Sequence, residues 1–151
     1  MSLAALSKAL RETGHAVCSD AADRLERSLA PDFNLHLRNA GLIPTDAAVI
    51  AEALAQFDQD SPCLRSFSVS YNPTLGDVGV KVLLAALPAT VNELGMVGCE
   101  LSDDSGQTLL EWVQQADGLR TMCVEGNRYS AQMRGLLSEL GRIDARPTIF
   151  V

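Results

Sequence analysis

The residues of this chain that could do chemistry are few. His15 and Cys18 stand three apart in His15-Ala-Val-Cys18, a spacing that puts both on one face if a helix runs through them. A thiolate nucleophile needs a base within hydrogen-bond reach, so a thiol-dependent enzyme using Cys18 and His15 is one reading. No motif supplies the acidic or amide group that would orient the histidine, and the pair lies in a stretch that reads more simply as a helical cap. Asp103 and Asp104, with Glu100 nearby, are candidates for paired acid–base carboxylates or a calcium site. A helix start accounts for them more simply, because the positive end of a helix dipole favours negative charge. The four cysteines, Cys18, Cys63, Cys99 and Cys123, form no Cys-x-x-Cys pair, and the only other histidine is His36. Neither a zinc site nor a phosphate-binding glycine loop is spelled out. The expectation is a non-catalytic protein with no metal and no cofactor.

Composition narrows the partner. Of the 151 residues 47% are hydrophobic and 5% aromatic, so the core is built of Leu, Val, Ala and Ile in thin layers rather than around a ring-walled cavity. The formal net charge is −7, and all of it lies after residue 30. An acidic surface argues against nucleic acid and against anionic membrane, both of which need a basic footprint. No apolar export segment opens the sequence, no Asn-x-Ser/Thr acceptor occurs with x other than Pro, and no run approaches the ~18 apolar residues of a membrane span. A cytoplasmic protein with reduced thiols is expected.

What positions these residues is an internal repeat. Leu64-Arg-Ser-Phe67-Ser-Val69-Ser-Tyr-Asn72, Val91-Asn-Glu-Leu94-Gly-Met96-Val-Gly-Cys99 and Leu119-Arg-Thr-Met122-Cys-Val124-Glu-Gly-Asn127 overlay, with the anchors Phe67, Leu94 and Met122 spaced by 27 and 28 residues. Apolar residues two apart place one face of a short strand on a core. Asn72, Cys99 and Asn127 fall where the chain leaves the strand, where a buried polar side chain can bond unpaired backbone groups of the turn. Each unit then changes to helical spacing, as in Met133, Leu136, Leu137 and Leu140 behind Ser130 as N-cap. Strand then helix at constant period implies a parallel sheet with helices on one side. A degenerate unit precedes these: Leu35-His-Leu37-Arg-Asn-Ala40, anchored on Leu35 rather than Phe33, with Thr45 as cap of a helix carrying Ala48, Ile50, Ala51 and Leu54. The longer spacing to the next unit falls in the polar segment 57–63, which reads as an enlarged loop.

The template L-x-x-L-x-L-x-x-N/C-x-L, with the phrases LGDVGVKVLLAALP and VGCELSDDSGQTLLEWV, resembles the ribonuclease-inhibitor class of leucine-rich repeat over roughly residues 33–141. The resemblance implies an α/β fold, a short right-handed solenoid with parallel strands on a concave face and helices on a convex one. It implies a protein-interaction module and carries no ribonuclease-inhibiting role, since that depends on a much longer arc. The extra residue in Asn72-Pro-Thr-Leu75 departs from the template and predicts a local bulge.

Residues 1–30 read as an N-terminal helical cap, with Leu3, Leu6, Leu10, Val17, Ala21, Leu25 and Leu29 at helical spacings and a break at Gly14. Repeats occupy 31–141, and 142–151 form a tail or capping strand of the same domain. Should Thr148-Ile-Phe-Val remain free, it offers a β-edge for homodimerisation or self-assembly. Strand parity assigns the face away from the core to His36 and Arg38, then Ser68, Ser70 and Tyr71, then Gly95 and Val97, and finally Cys123 and Glu125. The resemblance makes this the protein-binding face; Tyr71 is its only aromatic anchor, and the parity of Cys123 predicts that it reacts with thiol reagents.

Overall fold

A computed structural model describes residues 2–57, 62–142 and 147–151. Along the chain come α1 (Ser2–Glu12), α2 (Ala16–Arg27), β1 (Asp32–His36), α3 (Pro44–Leu54), β2 (Cys63–Ser68), α4 (Gly76–Ala86), β3 (Glu93–Gly95), α5 (Asp103–Gln115), β4 (Thr121–Cys123), α6 (Ala131–Leu140) and β5 (Thr148–Phe150). The fold is α/β: one parallel sheet of five strands in sequential order β1-β2-β3-β4-β5, with six helices among the described residues.

The sheet is held in register by a single row of apolar anchors. Leu35 pairs with Phe67, Phe67 with Leu94, Leu94 with Met122, and Met122 with Ile149. The first four are nearly or fully buried. Phe33 pairs instead with Leu64 beside a register shift, and its ring lies 5.2 Å from that of Phe57. The parallel ladder runs on past the short strands. Leu37 donates to the Ser68 carbonyl (2.8 Å), Tyr71 to Val97 (2.7 Å), Gly98 to Glu125 (3.0 Å) and Val124 to Phe150 (2.8 Å).

The turns out of β1, β2 and β3 are each closed from the next unit. Asn72 is fully buried. Its Oδ1 accepts from the amides of Ala40 and Leu42 (3.1 and 3.0 Å), and its Nδ2 donates to the carbonyls of Leu37 and Val69 (2.8 and 2.7 Å). Asn127 repeats the pattern two units further on, with Cys99, Leu101, Met96 and Val124. Cys99, between them, donates from Sγ to the Val69 carbonyl at 3.2 Å. The residue just before each of these positions, and before Ala40, has positive φ: Asn39 (48°), Tyr71 (61°), Gly98 (63°) and Gly126 (67°). One turn geometry is thus used four times.

The helices are tied to one another at their N-termini. Asp77, in the first turn of α4, accepts from the backbone N–H (2.9 Å) and hydroxyl (2.7 Å) of Ser102, the N-cap of α5, and from the hydroxyl of Ser105. Asp103, opening α5, accepts from the amide of Ser130, the N-cap of α6 (2.7 Å). Ser130 Oγ in turn accepts from Met133 N–H. Glycines allow the helices to approach closely: a Cβ on Gly106 would lie 2.5 Å from Met133 Cγ.

Several expectations need correction. The cap of α3 is not Thr45. Ile43 is the N-cap and Pro44 starts the helix, two residues earlier than expected, and the Asp46 carboxylate accepts from the Ile43 amide at 3.1 Å. Ala47 rather than Ala48 faces the core, and Leu137 is buried while Leu136 is 47% exposed. Leu29 is fully exposed. The helix ends at Arg27, Ser28 turns extended, and the chain leaves the core before Pro31. The enlarged loop expected at 57–63 falls mostly outside the described residues. No helix among the described residues is long and apolar enough to cross a membrane.

Candidate functional site

With helices against one face, the other face of the sheet is open, and alternation along the strands sorts its side chains into three rows. The first holds Asn34, Ser66, Glu93 and Thr121, ending at Thr148. The second runs His36, Ser68, Gly95, Cys123 and Phe150. Extending the register by two residues along each strand puts Arg38, Ser70, Val97 and Glu125 in the third. The rows enclose a shallow groove of about 480 Å³.

The floor of that groove is made of small residues. Gly95 has no side chain, and a Cβ there would stand 2.8 Å from Ser68 Oγ. Ser70 was expected as a contact residue, yet it is 5% exposed and its hydroxyl accepts from the Val97 amide at 3.0 Å. It supports the floor of the groove. Ser68 donates to Ser70 at 3.2 Å, and His36 Nε2 lies 2.8 Å from Ser66 Oγ.

The rims carry the groove's character. On the β1 side the Arg38 guanidinium stacks 4.8 Å from the centroid of the Tyr71 ring. Tyr71 is 45% exposed and projects from a backbone with φ of 61°, a left-handed conformation that costs a non-glycine residue roughly 1 kcal/mol. Gly98 makes room for the ring, since a Cβ there would lie 3.2 Å from it. On the β3–β4 side stand the exposed carboxylates of Glu93 and Glu125. Burial, then Glu125 and Glu93, push the Cys123 thiol above its ordinary range, so it is accessible but poorly nucleophilic at neutral pH. Among the described residues Arg38, Glu93 and Glu125 enter no salt bridge.

Phe150, 48% exposed, was missed by sequence reasoning. Its pairing with Cys123 turns it to the open face, so this face bears both of the half-exposed aromatic side chains, Tyr71 and Phe150. The signal in the sequence was its parity with Ile149, legible once the tail is taken as a strand.

His15 and Cys18 sit elsewhere, in the α1–α2 hairpin. Sequence reasoning also missed the histidine's acidic partner: Nε2 of His15, the N-cap of α2, is 2.8 Å from Asp46 Oδ2, which comes from α3. Cys18 is fully buried, and burial raises its thiol pKa, the opposite of what a nucleophile needs. Asp103 and Asp104 act at the start of α5, where Asp103 binds Ser130 and Asp104 pairs with Lys81 at 2.6 Å. The described residues hold no cluster of three or more metal-ligating side chains.

Fold and site together define an α/β protein of repeated strand–helix units with one uncovered sheet face. No protein-family model matches the sequence, and no curated protein matches it.

Proposed function

We propose that this chain is a short leucine-rich-repeat protein of the ribonuclease-inhibitor-like class. In this reading it is a non-catalytic module that binds another protein on its open sheet face, in the cytoplasm and with its thiols reduced. The repeat assignment is supported by the period of the anchors and by the matched hydrogen bonding of Asn72 and Asn127. One observation carries the binding assignment. The turn position that holds Asn or Gly in the other three units holds Tyr71, at positive φ, with its ring displayed beside the groove. Backbone strain kept to present an aromatic side chain to solvent is the mark of a contact residue.

The test is a comparative capture from the native cell with wild type, Tyr71→Ala, and Val97→Trp, which fills the groove. A protein retained by wild type and lost by both variants is the expected result. Retention by both would remove the open face from the function. Self-association through β5 is a second reading, favoured by its place as the outermost strand of the sheet beyond β4. Light scattering on wild type and on a chain truncated before Thr148 decides it, because an unchanged mass defeats it.

A further inference from the structure

The open-face groove has walls of opposite sign and a width that suits one kind of secondary structure. One wall, at the end of β1, is cationic at Arg38 on the turn that follows the strand, with His36 one row below. The other carries Glu125 on the turn after β4, with Glu93 two rows away at the start of β3 on the same side of the groove axis. None of the three charged residues has an ion-pair partner among the described residues. Arg38 and Glu125 share a row and stand three strand spacings apart, about 14 Å between backbones. The floor between them, Ser68, Gly95 and Val97, adds little height.

Occupants differ in how they meet such a trough. An added strand needs free backbone groups, and on this face the backbone is already spent in the ladder, as in Tyr71 to Val97 and Gly98 to Glu125. An extended chain is also too narrow to touch both walls. An α-helix with its side chains is about 10–12 Å across and fills the gap. The three rows span five residues of strand, about 13 Å, which is between two and three helical turns.

We propose that the groove binds a two- to three-turn amphipathic helix of a partner protein, laid along β2 and β3, with acidic side chains on one flank and basic side chains on the other. The acidic flank meets Arg38 and the basic flank meets Glu93 and Glu125. Small or apolar residues between the flanks rest on the Gly95 floor, beside Tyr71. This rests on the open-face reading and adds to it the chemistry of the partner. A helix that reverses direction exchanges its flanks, so the groove selects mixed flanks over uniform ones, not one polarity of chain.

The test selects binders from a displayed library of helical peptides, 15 residues long, with both flanks randomised over Glu, Lys and Gln. The intact protein is the bait. Enriched sequences should carry Glu on one flank and Lys on the other. Arg38→Glu, which makes both walls acidic, should shift selection to Lys on both flanks and weaken the original binders at least tenfold. Adding Glu93→Lys and Glu125→Lys to that variant should restore mixed flanks. Binders that are lost in Val97→Trp but indifferent to the charge changes overturn this inference and leave the open-face reading standing. Binders indifferent to Val97→Trp overturn both. Failure to select any helix overturns the inference alone.

Discussion

The two faces of the sheet are built on different rules. On the helix side and in the turns the units repeat one another: anchor on anchor, Asn72 as Asn127 two units on, Asp77 to Ser102 as Asp103 to Ser130. Buried polar groups there are matched; among the described residues only Ser7 Oγ is buried without a partner. On the open face the rows do not repeat. Arginine becomes serine, valine and glutamate along one row, charges stand unpaired, and a tyrosine occupies a strained backbone. Stability needs sameness between neighbouring units, because each unit covers only the next. Recognition needs difference, because a uniform strip cannot favour one partner.

The sharpest way to break this comparison is to attack the repeated side. Asn72→Ala removes five hydrogen bonds, the longest of them to the Ser70 carbonyl, and strands the amides of Ala40 and Leu42 in the interior. It should cost about 3–4 kcal/mol in denaturant unfolding. Asn127→Ala, at a half-buried site that water can reach, should cost about half as much. Equal costs would show that burial does not grade the two turns. Next in size is Asp77→Ala, about 2 kcal/mol at neutral pH. Burial pushes the Asp77 carboxyl up, but the hydroxyls of Ser105 and Ser102 and their amides win and hold it below its ordinary range. A lowered folded pKa gives stability that is present above the unfolded value, about 3.9, and is lost as pH falls through the folded one. The gap between wild type and Asp77→Ala should therefore close below pH 4. A constant gap down to pH 2 would show that the carboxylate charge is not what binds the two serines.

How much was legible follows the same division. Phe67, Leu94 and Met122 disclosed the sheet register because periodic burial leaves periodic residues, and Asn72 and Asn127 disclosed the turns for the same reason. His15 with Asp46 and Asp77 with Ser102 were hidden, since partners 31 and 25 residues apart carry no local signal. Leu29 and Leu136 misled because helical spacing shows which residues share a face but not where the helix ends or how wide the buried stripe is. On the open face parity found Arg38, Val97, Cys123 and Glu125. It could not tell that Ser70 turns its hydroxyl to the Val97 amide, nor that Tyr71 sits at positive φ, as both depend on the neighbouring strand.

Tyr71 lets the comparison be sharpened at a single residue. Asn39 occupies the equivalent turn at φ of 48°, so Tyr71→Asn replaces the exception with a residue the turn already uses. Relief of the left-handed strain is worth about 1 kcal/mol, partly offset by the lost contact with Arg38. The variant should be as stable as wild type or more stable by up to about 1 kcal/mol, and should bind its partner more weakly. Destabilisation beyond about 2 kcal/mol would make Tyr71 a structural residue and remove the main support for the open face as a binding surface.

The smallest effect is expected at Cys123, where the two rules meet in one side chain. Its backbone belongs to the regular ladder, since its carbonyl accepts from Met96 at 2.8 Å, while its thiol lies in the groove. Burial, Glu125 and Glu93 all raise the thiol pKa, so at pH 7 the reactive thiolate fraction is lower than that of a free cysteine. Alkylation by iodoacetamide, followed residue by residue by mass spectrometry, should be slower at Cys123 than at a cysteine in a short peptide. It should still outpace Cys18 and Cys99, which are fully buried. Because two of the three causes are carboxylates on the groove wall, Glu125→Gln should speed the reaction by a few-fold, and moderate salt should do the same in wild type by screening them. A rate unchanged by both would mean that burial alone controls the thiol and that the Glu125 wall exerts no field where a partner helix would lie.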